Sequence, residues 1–152
     1  MPDIHKIDLL AHDYAPLRAE ALQEGHQFIE TLIVEWISGE NRFAAPGEVL
    51  CGSIQHGLLT AVGGLTCDPF LHRPEVGRIR RVFVRPGWRK QGLGAAMVSW
   101  LLNHARSQFE CVRLRTDNPA AARLYERLGF LPLTDPRATH MYRFDEKSRL
   151  AG

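Results

Sequence analysis

Apolar residues recur along the chain with two different periods, and the switching between them outlines an order of elements. Ile4 to Leu10 predicts a first strand, and Ala15 to Glu24 a helix with Pro16 near its start. From His26 to Ser38 the pairs Phe28/Ile29, Leu32/Ile33 and Trp36/Ile37 recur at i, i+4 and i+8. That is the stripe of an amphipathic helix, and Gly39 ends it. The stripe suits the core or the wall of a cleft, and the core is favoured. Glu48 to Gln55 and Leu58 to Thr66 predict two strands joined at His56-Gly57, a hairpin signal. Asp68 to Pro74 is a loop, and Glu75 to Val84 a further strand. A helix over Ala95 to Phe109 follows, with Leu93, Met97 and Leu101 on one face. Cys111 to Thr116 alternates, with Val112, Leu114 and Thr116 on one side. After a short helix come strands at Phe130 to Leu133 and Thr139 to Phe144, joined through Asp135-Pro136. Strand, two helices, three strands, helix, strand, helix and two strands make an α/β fold with a mixed sheet.

Composition narrows this picture. The 152 residues suit one domain spanning 1–152, with enough apolar sequence (45%) for a sizeable core. No apolar run approaches the ~20 residues that span a bilayer, so no membrane partner is expected. The N-terminus Met1-Pro2-Asp3-Ile4-His5-Lys6 lacks the basic-then-apolar order of a signal peptide. Three cysteines, Cys51, Cys67 and Cys111, show no metal-ligand spacing, and a reducing cytoplasm is the expected location. The net charge of +2 is too small to argue for nucleic acid.

Charge is nonetheless concentrated. Arg78, Arg80, Arg81, Arg85, Arg89 and Lys90 fall within one short stretch. It reads either as a solvated strand edge or as an electropositive rim for phosphates. The rim is favoured, because the cluster abuts Arg89-Lys90-Gln91-Gly92-Leu93-Gly94-Ala95 at a strand-to-helix junction. Glycines there let the backbone approach a ligand, and the first amides of a helix attract phosphate. The pattern is neither Gly-x-Gly-x-x-Gly nor a Walker loop. By themselves the glycines read equally as an ordinary loop. Further along, Asn118-Pro119 begins a helix that Gly129 ends, with Tyr125 one residue from the apolar face of Leu124 and Leu128.

The strand ending at Val84, the Arg89 to Ala95 loop and the Asn118 to Phe130 segment, in this order and spacing, resemble the GNAT superfamily of acyl-CoA-dependent N-acetyltransferases. The resemblance is clear from about Gly47 to Phe144 and weak over the first 45 residues. It implies a twisted mixed sheet of about seven strands flanked by about four helices, with a parallel pair that splays apart. It implies acetyl-CoA as acyl donor: the diphosphate on the amides of Arg89, Lys90, Gln91, Gly92, Leu93, Gly94 and Ala95, and the pantetheine arm on the backbone of Val82, Phe83 and Val84. Asn118 matches the position that contacts the pantetheine, and Tyr125 the tyrosine proposed as general acid for the departing thiolate. Lys90 stands where glycine is common. Relatives are often dimers, so a homodimer is the default expectation.

The proton acceptor is where the sequence departs from that pattern. Many relatives carry Glu about six residues before the strand-ending Val, and here that residue is Arg78. At pH 7, freeing a lysine-type amine of its proton costs about 4.6 kcal/mol and an α-amine about 1.4 kcal/mol. A site without a strong base therefore suits an amine of low pKa, or one relayed through water to Glu75, His72 or Asp117. Arg78, if it faces the cleft, would bind a carboxylate or phosphonate beside the acceptor amine bidentately. Direct amine attack is favoured over a route through a cysteine. The expected activity is acetyl transfer to a primary amine of a small molecule such as an amino acid or dipeptide. The alternatives are a protein N-terminal or lysine acetyltransferase, and an acyl-CoA-sensing module without turnover.

Overall fold

The computed structural model describes residues 3–145. Its strands are β1 (His5–Lys6), β2 (Val49–Gln55), β3 (Leu58–Cys67), β4 (Val76–Val84), β5 (Cys111–Leu114), β6 (Leu131–Asp135) and β7 (Ala138–Arg143). The helices are α1 (Ala15–Gln23), α2 (Phe28–Ser38), α3 (Leu93–Ala105) and α4 (Pro119–Arg127). One sheet runs in the order β1-β2-β3-β4-β5-β7-β6. All its pairs are antiparallel except β4 with β5. This is the expected mixed architecture.

Each face of the sheet is sealed by apolar helix residues. Leu17 and Ala21 of α1 and Ile29, Leu32, Ile33 and Trp36 of α2 pack with Leu50, Leu59, Val62 and Phe83. On the other face Met97, Val98, Leu101 and Ala105 of α3 pack with Ala61, Leu65, Ile79, Val112 and Leu114. The predicted α2 stripe is thus core, though narrower than expected, because Ile37 is 57% exposed.

Local chemistry explains where boundaries move. The first strand is cut to two residues because Asp8 accepts a hydrogen bond from the Leu10 amide (3.1 Å) and turns the chain into a 3-10 helix. The β2–β3 hairpin turns through His56 and Gly57 at φ 53° and 78°, as a two-residue loop between twisted strands requires. Helix α3 begins at Leu93 rather than Ala95, with Gly92 as its left-handed N-cap (φ 78°).

Two irregularities of β4 position the site. It pairs with β5 only over Val76–Arg78, opposite Cys111–Arg113. Beyond Arg78 that edge of β4 has no strand partner, so the sheet splays open. A bulge then interrupts the pairing with β3 between Val62 and Gly64, and Arg81 takes a left-handed conformation (φ 61°). Before the bulge Gly77 and Ile79 face α3, which leaves Arg78 and Arg80 on the α1/α2 face. After it Val82 packs towards α3 while Phe83 joins the α1/α2 core.

Candidate active site

The glycine loop presents free donors. The Arg89 amide is engaged with the Pro86 carbonyl (3.3 Å), and the first bond of α3 runs from the Ala96 amide to the Gly92 carbonyl (3.0 Å). Between them, the amides of Lys90, Gln91, Gly92, Leu93, Gly94 and Ala95 make no backbone hydrogen bond among the described residues. Gly92 has no side chain to cap them. Helix α4 is built the opposite way: Asn118 Oδ1 accepts from the amides of Ala120 (2.8 Å) and Ala121 (3.2 Å). The left-handed conformation of Lys90 (φ 64°) gives the physical reason glycine suits that position.

Beside these amides the splay begins. A Cβ placed on Gly94 would lie 3.6 Å from Leu124 Cδ2 and 3.9 Å from Val84 Cγ2. The gap between the start of α3, the end of β4 and α4 is therefore about one methyl wide at that point, and glycine keeps it open. Val82, Phe83 and Val84 line the unpaired stretch of β4, so they and the loop adjoin. The next residue of α4 is Tyr125, 7% exposed and packed against Phe130 (ring centroids 5.6 Å). Burial pushes its phenol up to about 12.

The arginine cluster does not form the expected phosphate rim. Arg81 pairs with Glu35 (3.4 Å) and Arg85 with Glu20 (2.9 Å). Arg89 grips Glu24 with both Nη atoms while its Nε donates to the Val84 carbonyl (2.9 Å). These side chains clamp α1, α2 and the segment after α1 onto the end of β4. The Arg89 guanidinium, bonded to Glu24, holds that carboxyl below the usual carboxylate range. What the loop has left for an anion is its backbone amides and the exposed Lys90 side chain.

Two of the expected relay residues, Glu75 and His72, lie just before β4, at the Arg78 end of that strand, and Val82 lies seven residues beyond Glu75, roughly 23 Å along a strand. Glu75 is bonded to Arg73 (2.8 Å). Asp117 is 79% exposed beside Arg115 (3.2 Å). One group that no spacing pattern flags does reach the bulge: Glu35 of α2 pairs with Arg81 (3.4 Å). His26, between α1 and α2, lies against Phe83 (5.9 Å between rings) and 3.9 Å from Glu24, towards the Arg89 end of β4.

Arg78 is 7% exposed, and its fork is already occupied. Nη1 lies 3.3 Å from Asp68 Oδ2, and Nη2 donates to the Arg137 carbonyl (2.6 Å). The bidentate clamp expected of Arg78 is thus not available, although the residue lines a cavity of about 340 Å³ with Phe70, Arg115, Pro136 and Arg137. Burial raises the thiol pKa of Cys51, to about 12, and also those of Cys67 and Cys111. None of them is therefore an activated nucleophile. Among the described residues no group of three or more His, Cys, Asp or Glu is placed to hold a metal. No helix among them is long and apolar enough to cross a membrane.

Residues 13–130 match the model of the Acetyltransferase (GNAT) family. Among solved structures, a protein of Exiguobacterium sp. 255-15 provisionally named an acetyltransferase superposes with a TM-score of 0.84 at 24% identity, over 99% of this chain and 97% of its own. An acetyltransferase of the GNAT family from Staphylococcus aureus Mu50 gives 0.70 at 14% identity, over 95% and 100%. YncA of Salmonella typhimurium, provisionally named an acetyltransferase and solved with its cofactor acetyl-CoA, gives 0.58 at 20%, over 76% and 74%. These likenesses are of fold. No curated protein sequence matches the chain.

Proposed function

Since the chain belongs to the GNAT acetyltransferase family, we propose that it transfers the acetyl group of acetyl-CoA directly to the primary amine of a small molecule. The observation that carries this reading is the run of six free amides, Lys90 to Ala95, opening onto the unpaired edge of β4. Consecutive amides at a helix start suit a diphosphate, and an open strand edge suits the amide groups of a pantetheine arm. The gap at Gly94 leaves a passage between the two. Bound acetyl-CoA supplies an acyl group activated as a thioester.

The chain's own residues then divide the work. Backbone donors of Val82, Phe83 and Val84 orient the arm, and Asn118, its oxygen engaged at the cap, offers only its NH₂ group. Tyr125 stays protonated at neutral pH and donates a hydrogen bond towards the departing sulfur. With the phenol near 12, complete transfer of its proton to a thiolate of pKa ~8.5 is about 5 kcal/mol uphill, so a shared hydrogen bond is the stronger role. The raised cysteine thiols support attack by the amine itself.

Thiol release from acetyl-CoA, followed across a panel of amines, tests the reading. Acceptor-dependent release supports it. Tight binding of acetyl-CoA with no release for any amine would point instead to a sensor.

A further inference from the structure

We infer that the cavity between the 68–74 loop, β4, β5 and the β6–β7 turn is the acceptor pocket, and that it selects primary amines carrying an oxyanion, a carboxylate or phosphoryl group. This deepens the acetyltransferase reading and rests on it. Arg78 is the last residue of β4 paired with β5, opposite Arg113, so the cavity sits at the vertex of the splay. From Val84 back to Arg78 is six residues, about 20 Å of strand. A pantetheine arm spans about as much as five extended residues, roughly 17 Å. An arm anchored at the loop therefore ends beside this cavity.

The lining is cationic beyond what its aspartates offset. Behind the wall one buried carboxylate, Asp68, serves two buried guanidiniums: Arg78 at 3.3 Å and Arg113 at 3.8 Å. Arg113 also lies 3.0 Å from Asp135. In the wall itself, Arg115 has only the exposed Asp117. The Arg137 guanidinium has no carboxylate partner among the described residues and lies over the Phe70 ring at 4.6 Å, with Arg78 over the same ring at 4.8 Å. Arg78, Arg113, Arg115 and Arg137 thus stand against Asp68, Asp117 and Asp135, one positive charge in excess. Asp68 also accepts from the amides of Phe70 (2.8 Å) and Leu71 (3.1 Å), which fixes Phe70 as the apolar wall. A guanidinium with free donors, a second beside it and an aromatic wall suit a short chain ending in an oxyanion. The depression is open to solvent and, at about 340 Å³, has room for a metabolite of amino-acid size.

The test compares kcat/KM in matched pairs: glycine with glycinamide, β-alanine with β-alaninamide, and O-phosphoethanolamine with ethanolamine. The anionic member of at least one pair should exceed its neutral partner at least tenfold, and the winning pair separates carboxylate from phosphoryl. The double variant Arg115→Gln/Arg137→Gln should reduce that ratio to near one while its affinity for acetyl-CoA by calorimetry stays at the wild-type value. Independently of turnover, NMR lines of β-alanine or O-phosphoethanolamine should broaden with the wild-type protein and not with the double variant. Neutral amines used equally well in every pair, a ratio untouched by the double variant, or no broadening by either anion would overturn the proposal. Broadening without any heat from acetyl-CoA would keep the anion site and sink the acetyltransferase reading instead.

Discussion

Gly94→Ala separates what the fold needs from what the ligand needs. The new Cβ would stand 3.6 Å from Leu124 Cδ2 and 3.9 Å from Val84 Cγ2, ordinary contact distances, and Gly94 is not in the left-handed region. Alanine is the better helix residue by up to about 1 kcal/mol. The apo protein should therefore be as stable as the wild type or slightly more so. If the cofactor runs from the loop to the splay as proposed, the same methyl fills its path. If the diphosphate shifts enough to lose one charge-assisted bond from the Lys90–Ala95 amides, about 1.5–3 kcal/mol is lost. That is roughly a 10- to 150-fold rise in Kd for CoA. Urea unfolding and calorimetric titration with CoA report the two quantities on one sample. A variant of wild-type stability that binds CoA as tightly as the wild type would refute the reasoning that this glycine serves the ligand.

Other substitutions test other residues. Tyr125→Phe should lower kcat several-fold with little change in the KM for acetyl-CoA. Its phenol is raised from 10 to about 12 in the folded protein, so folding is unpenalised below pH 10 and loses about 3 kcal/mol as pH climbs from 10 through 12. Alkaline unfolding of Tyr125→Phe should be correspondingly delayed. Asp68→Asn keeps the hydrogen bonds to the Phe70 and Leu71 amides but leaves Arg78 and Arg113 buried without that carboxylate. It should cost about 3 kcal/mol in urea unfolding.

The legible parts of this chain were those written in local chemistry. The period of Ile29, Leu32, Ile33 and Trp36 marks α2, and His56-Gly57 marks the hairpin. Asn118-Pro119 marks the start of α4, and the glycines mark the loop that holds free amides. Sequence alone misjudged the arginine cluster, because its partners lie far away. Glu20 and Glu24 are each 65 residues from the arginine they hold, and Glu35 is 46 from Arg81. No spacing rule connects them. The bulge at Arg81 was equally hidden, because arginine rather than glycine occupies the left-handed position. Arg78 illustrates the middle case. It does line a cavity, but Asp68, ten residues earlier, has taken one arm of its fork. On the proposed acceptor pocket, the donors left for a substrate are those of Arg115 and Arg137. Glu35 carried no signal either, since its contact with Arg81 is made by the packing of α2 on β4.

Backbone nitrogens gripping the diphosphate are the heart of the account, and amide NMR of the ¹⁵N-labelled protein observes them directly. On titration with CoA, the signals of Lys90, Gln91, Gly92, Leu93, Gly94 and Ala95 should show the largest shifts and gain protection from hydrogen exchange. Saturating CoA that leaves those six signals in place, or moves a different region instead, would contradict it.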